Sequence, residues 1–179
     1  MIRLFVAARP PQSVRHYLRS LMRGVEGARW QDDAQLHLTL KFIGEVDHNR
    51  AVDIVDALRG VHAPSLEVRI DGTGFFARKG RLDCLWAGIA PAEGLEQLHR
   101  KIDRALVRCG FPPEARAFRP HVTLARFGKQ QGSAAAFLEN CAAASSPPFM
   151  IDAFALFESL LSRSGSHYRV IECFALDKA

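Results

Sequence analysis

The amino-acid sequence predicts an α+β fold: a bilobal molecule of two antiparallel β-sheets with outer helices, its pseudo-two-fold related lobes set around a central cleft. Three observations lead there. Apolar runs of strand type are interleaved with segments whose apolar residues recur at helical spacing. The second half of the chain echoes the order of the first: hairpin strands, helix, a strand carrying His-x-Thr, helix. The triplet itself occurs once in each half, as His37-Leu38-Thr39-Leu40 and His121-Val122-Thr123-Leu124. Residues 1–179 are read as one domain of two intertwined lobes, each contributing one triplet.

The elements follow in order. Ile2 to Ala8 is a buried strand. Pro10-Pro11 then opens a helix with Val14, Leu18, Leu21 and Met22 on one face, because proline suits the first turn. His37 to Ile43 is a second strand, expected to stop at Gly44, and Ala51, Ile54, Val55 and Leu58 mark an amphipathic helix ending near Gly60. Leu66 to Phe76 and Leu82 to Ile89 form a hairpin around Ala77-Arg78-Lys79-Gly80-Arg81. A long helix begins near Pro91, carries Leu95, Leu98, Ile102, Ala105 and Leu106 on one stripe, and stops at Gly110. Phe118 to Phe127 is the strand of the second triplet, and Gly132 to Ala144 an Ala-rich helix. Phe149 to Phe157 and Tyr168 to Leu176 close the chain as a hairpin-like pair around Ser162 to Ser166.

Composition narrows the partner class. The formal net charge is +5, and only five of the 24 basic residues are lysine. Guanidinium is a fixed planar cation that suits phosphate, so nucleic acid or a nucleotide is a sensible partner; a GC-rich gene explains the arginine bias equally well. Cys84, Cys109, Cys141 and Cys173 have no C-x-x-C spacing and are read as reduced, buried small hydrophobes, which points to the cytoplasm. The only apolar N-terminal stretch, Ile2 to Ala8, contains Arg3 and is too short for a signal or a membrane span.

The doubled triplet carries the chemistry. With seven histidines and three threonines, about 0.1 His-x-Thr triplets are expected by chance. Strand alternation puts His and Thr of each triplet on one face and the intervening aliphatic residues on the other. Two imidazoles with ordinary pKa values near 6.5 can supply one base and one acid at neutral pH. Phosphodiester hydrolysis needs both, and the threonine hydroxyls can donate to the non-bridging phosphoryl oxygens. The arrangement requires no metal and no other cofactor. A single triplet is better read as a capping histidine beside a common strand residue. Two in matching context favour His37 and His121 as catalytic groups.

Here a resemblance enters. The two triplets, the second within Arg119-Pro120-His121-Val122-Thr123-Leu124-Ala125-Arg126, resemble the paired signatures of the two-histidine phosphoesterase superfamily. Arg3-Leu4-Phe5-Val6-Ala7, Lys41-Phe42-Ile43-Gly44-Glu45-Val46, Leu156-Phe157-Glu158-Ser159 and Gly165-Ser166-His167-Tyr168 resemble the bacterial and archaeal RNA 2′,3′-cyclic phosphodiesterases, historically called 2′–5′ RNA ligases. The resemblance spans residues 2 to 176. It implies metal-independent hydrolysis of RNA 2′,3′-cyclic phosphate ends to 2′-phosphomonoesters. It further implies His37 as general acid to the 3′ oxygen, His121 as general base to water, and Thr39, Thr123 and Arg126 as phosphate ligands. Strand alternation alone aims Arg126 away from His121, so a bulge or the strand end must redirect it. The first triplet has Phe42 at the corresponding position.

Other residues have two readings. Tyr168 and Phe5 could stack on a terminal base, with core packing the better reading for Phe5. Lys41 shares strand parity with His37 and Thr39 and could add charge near the phosphate or stand at the rim. Arg116 and Arg119 are RNA-backbone contacts or a solvated loop. His16, His48 and His99 fall on or beside polar helical faces and are read as exposed; Trp30 and Trp86 are core or cleft wall. The expected partners are RNA 3′ ends or nucleotides bearing 2′,3′-cyclic phosphate, with no membrane and no metal, and the chain is expected to be a monomer. Three alternatives stand beside this reading. RNA ligation at the same site is the chemical reverse with an alcohol for water. A non-catalytic RNA-end binding module would gain little from titratable imidazoles where arginine holds phosphate at every pH. A metal phosphoesterase lacks His-x-His or His-x₃-His spacing.

Overall fold

A computed structural model of the chain describes residues 1–128, 132–162 and 165–178. The strands are β1 (Ile2–Ala8), β2 (Ala28–Trp30), β3 (Leu38–Val46), β4 (Leu66–Arg78), β5 (Arg81–Ala90), β6 (His121–Phe127), β7 (Phe149–Ile151), β8 (Ala153–Ser162) and β9 (Gly165–Ala175). The helices are α1 (Gln12–Leu21), α2 (His48–Arg59), α3 (Glu93–Arg108) and α4 (Ala135–Cys141). Strand order is β7-β4-β5-β6-β3-β1-β8-β9, with β2 added to β6. The two expected antiparallel sheets are joined into one nine-stranded sheet among the described residues, as its halves β7-β4-β5-β6 and β3-β1-β8-β9. They meet where Leu38 of β3 pairs with Val122 of β6, so the two triplet strands form the seam.

Local chemistry accounts for these elements. α1 follows Pro10-Pro11 and buries Val14 and Leu18. Asp47 caps α2 by accepting from the Arg50 amide at 2.9 Å. α3 buries the predicted stripe of Leu95, Leu98, Ile102, Ala105 and Leu106. The β4–β5 hairpin turns on Lys79 and Gly80, both at positive φ (52° and 73°), the geometry whose twist matches the flanking strands. β1 is apolar throughout because both of its faces are covered. Leu4, Val6 and Ala8 enter the main core, while Phe5 and Ala7 pack with Ala155, Phe157 and Tyr168 on the opposite face. No helix among the described residues is long and apolar enough to cross a membrane.

Several expectations are corrected. β3 starts at Leu38 rather than His37, which lies just before it, and does not stop at Gly44 but runs to Val46, because glycine accepts the φ of +94° that lets the strand continue past an irregularity. β6 begins at His121 rather than Phe118, since Pro120 has no amide for a ladder. The Ala-rich helix is shorter than Gly132 to Ala144. The segment expected as one strand over Phe149 to Phe157 is broken at Asp152. β7 pairs with β4 in one half-sheet, and β8 with β1 and β9 in the other, so the chain crosses between lobes there. Of the turn expected over Ser162 to Ser166, Arg163 and Ser164 lie outside the described residues. All four cysteines are free, but only Cys84 is buried, and Cys173 is exposed on β9.

Candidate active site

Each histidine is held from the segment just before it. A short 3-10 turn, Asp33–Gln35, is closed by Asp32, whose carboxylate accepts from the Gln35 amide at 2.9 Å. Asp33 is tied to Arg15 at 3.0 Å and to Arg9 at 3.1 Å. The Gln35 carbonyl is thereby set to accept from His37 Nδ1 at 2.7 Å. In the other lobe the Arg119 carbonyl accepts from His121 Nδ1 at 2.6 Å. A carbonyl can only accept, so each Nδ1 carries the hydrogen and each neutral ring keeps the lone pair of its Nε2.

The Leu38–Val122 pair sets the relation between the motifs. Both of these side chains are fully buried. His37, Thr39, His121 and Thr123 therefore share the opposite face, and one step of antiparallel register brings each histidine across from the other motif's threonine. Both histidines are half-buried. Tyr168 and His37 stand in T-shaped contact, centroids 5.1 Å apart at 90°, and Phe76 stands to His121 at 5.1 Å and 86°. Trp86 adds to the second wall, 6.1 Å from His121, and lies so close over Gly74 that a Cβ there would fall 2.3 Å from its ring.

Burial, above all, pushes His37 down to about 4; the bond to the Gln35 carbonyl opposes this, and the positive charge of Arg126, His121 and Arg9 adds to it. Burial likewise lowers His121, against its bond to Arg119 and with Arg126 adding. Burial raises Tyr168, so its hydroxyl stays protonated at neutral pH.

A cavity of about 260 Å³ opens beside His37, lined by Thr39, Arg126 and Tyr168 together with Arg3, Phe5, Phe42, Ser159 and Ser166. His121 and Thr123 are across the seam, outside its lining. Arg126 reaches it because β6 carries the required bulge: Leu85 pairs with Ala125 and Trp86 with Thr123, leaving Leu124 unmatched. β3 has the same irregularity at Leu40, since Val6 pairs with Lys41 and Ala7 with Thr39.

That second bulge corrects the reading of Lys41. Its side chain turns into the interior, 2.7 Å from Asp103 and 3.9 Å from Glu114, and Phe42 faces the cleft instead. His99 is also buried rather than exposed: its Nδ1 donates to the Leu40 carbonyl at 2.6 Å and its ring stacks on Phe118 at 4.4 Å. Phe5 serves both readings, packing on Phe157 while lining the cavity. Trp30 packs on Phe137. Arg116 and Arg119 do not line the cavity. Sequence reasoning assigned no site role to Arg3, Phe42, Ser159 or Ser166. The alternation of Arg3 with Phe5 was the available signal for Arg3, and the bulge hid Phe42.

Two lobes that lay His-x-Thr strands side by side, with paired imidazoles held by the same bond, define the two-histidine phosphoesterase class. Residues 6–163 match the 2′-5′ RNA ligase superfamily, and the chain belongs to that family. The RNA 2′,3′-cyclic phosphodiesterase of Thermotoga maritima is 31% identical over 161 residues, 87% of this chain and 84% of its own. The protein of that name from Archaeoglobus fulgidus is 26% identical, over 97% of this chain and 99% of its own. E. coli LigT, solved with 3′-AMP, superposes with a TM-score of 0.77 at 25% identity, covering 98% of both chains. A Thermus thermophilus protein does so with a TM-score of 0.80 at 27% identity, covering 97% of both.

Proposed function

We propose that this chain hydrolyses 2′,3′-cyclic phosphate at RNA 3′ ends to the 2′-phosphomonoester, without a metal, using His37 and His121 as acid and base. The observation that carries this reading is the matched pair of Nδ1–carbonyl bonds, which leaves two Nε2 atoms for proton transfer on one face of the seam. His121 Nε2 takes a proton from water as its oxygen bonds to phosphorus. The bond from phosphorus to the 3′ oxygen breaks, and His37, protonated, gives its proton to that oxygen. Each transfer contributes on the order of 10² to 10⁴ in rate. Thr39, Thr123 and Arg126 hold the phosphoryl oxygens as charge builds, and Tyr168 offers a face to the terminal base.

The depressed resting value of His37 has a consequence for the order of events. The imidazole is neutral in the empty site at neutral pH, and the anionic phosphate favours its charged form. The acid is therefore created when substrate binds. A 5′-hydroxyl in place of water would make the same groups join RNA ends, so products must be identified as well as counted. The four free cysteines accord with a reducing cytoplasm.

The test is incubation of a nucleoside 2′,3′-cyclic phosphate with purified protein and a chelator. Turnover to the 2′-phosphate is expected, and its loss in His37→Ala and His121→Ala. Turnover abolished by the chelator, or unaffected in either variant, would remove that part of the mechanism.

A further inference from the structure

β2 adds only three residues to the sheet, but it adds them beside the site. It continues the edge of β6 that β3 occupies at the seam, with Ala28 opposite Phe127, Arg29 opposite Arg126 and Trp30 opposite Ala125. Cross-strand partners share a face. Trp30 turns inward onto Phe137, so Arg29 stands with Arg126 on the cleft face, and both are exposed. Arg126 lines the cavity. Neither arginine forms an ion pair among the described residues, whereas Arg9, Arg15, Arg50, Arg59 and Arg169 each have a carboxylate. Like charges placed directly opposite on a sheet repel. Arg3 brings a third cation to the same cavity.

We propose that Arg29 binds the phosphate next to the reacting one, the phosphate on the 5′ oxygen of the terminal nucleoside, and that the preferred substrate is therefore an oligoribonucleotide rather than a mononucleotide. This rests on the hydrolase reading above. The reacting cyclic phosphate has one negative charge and is bordered by Arg126. Arg29 stands one strand spacing farther out, about 5 Å away, where a second phosphate of the same chain can accept its planar fork. A second anion removes the repulsion between the two guanidinium groups.

Three substrates with one terminal nucleoside decide it: the 2′,3′-cyclic phosphate with a 5′-hydroxyl, the same with a 5′-phosphate, and a dinucleotide. In Arg29→Gln, KM should rise about tenfold on the dinucleotide with kcat held, and stay unchanged on the 5′-hydroxyl compound; Arg29→Lys should fall between. A rise on the dinucleotide alone supports both the contact and the oligonucleotide preference, whereas an equal rise on the 5′-phosphate compound keeps the Arg29–phosphate contact and overturns the preference for an oligoribonucleotide. An equal change on all three substrates, or none, overturns it. Binding of a 3′-phosphorylated tetranucleotide, followed by anisotropy against salt, separates this from the hydrolase reading. The log–log salt slope should become shallower by about 0.7 in Arg29→Gln, the single-strand value for one phosphate contact. If the wild type turns over none of the substrates, the hydrolase reading fails, while an unchanged salt slope overturns the role of Arg29.

Discussion

The two motif strands share one backbone irregularity and differ in chemistry. Each runs His-x-Thr and then bulges at the third residue after the histidine, Leu40 on β3 and Leu124 on β6. In each, the bulge turns the fifth residue onto the cleft face. On β6 that residue is Arg126, and on β3 it is Phe42, with the Arg3 guanidinium from β1 5.0 Å above its ring. The carbonyls at the bulges are also satisfied differently. Leu40 is bonded by the His99 side chain at 2.6 Å, Leu124 by the Gln31 backbone amide at 2.8 Å. Duplicate scaffolding thus holds two imidazoles by the same kind of bond, while the fifth position differs, a guanidinium on β6 and on β3 a phenyl ring beneath the Arg3 guanidinium.

The comparison predicts equal dependence on the histidines. His37→Asn and His121→Asn should each lower kcat by roughly 10³, and the double variant should fall little further, because groups acting as a unit are not additive; steady-state kinetics checks both. Unequal losses beyond tenfold would show that the two imidazoles are not equivalent.

Arg126→Phe makes the second strand copy the first. It should cost about 10² in kcat/KM, of the order of one lost charged hydrogen-bond contact to the transition state. Adding Phe42→Arg should recover less than tenfold if the lobes hold different parts of the substrate. Full recovery would make them interchangeable.

Lys41 tests the same strand from its buried side. Lys41→Ala leaves Asp103 without its ammonium and should cost about 2–4 kcal/mol in denaturant unfolding, while Arg126→Phe should leave stability nearly unchanged. The bulge carbonyls come next. His99→Phe keeps the stack on Phe118 but removes the donor to Leu40, an expected loss of about 1–3 kcal/mol. Gln31→Ala keeps its backbone amide and should stay within about 0.5 kcal/mol.

The remaining effects are on pH. Both imidazoles are depressed in the empty site, and an anionic phosphate raises them. The kcat/KM profile, which reports the free enzyme, should therefore lie roughly one unit to the acid side of the kcat profile. Stability follows the same shift: folded His37 titrates near 4 and an unfolded histidine near 6.5, so stability is lost as pH falls through that window. His37→Asn should flatten the loss, as read by unfolding midpoints at pH 7 and pH 4.5.

Much of this arrangement was legible from residue order. The apolar stripes of α1 and α3, the strand character of β1 and the inward Leu38 and Val122 follow from periodicity, because burial of one face is a local pattern. The doubled triplet put Thr39, His121 and Thr123 on strands for the same reason, with His37 one residue before β3. Parity failed where a ladder slipped. Parity leaves Lys41 near the phosphate or at the rim and gives Phe42 no site role, since a bulge is chosen by the partner strand. His99 looked like a surface residue because its helix spacing gives no hint of the Leu40 carbonyl, 59 residues away.

Residue order was enough to specify the two imidazoles, their threonines and the α+β architecture, since each depends on periods of two or 3.6 written into adjacent residues. Only the assembled sheet could decide that Leu38 meets Val122, that both motif strands slip by one residue, that Lys41 goes inside, and that Arg29 stands beside Arg126. Those outcomes depend on which distant strand supplies the hydrogen bonds, and pairing between strands is settled by the packing of the whole chain.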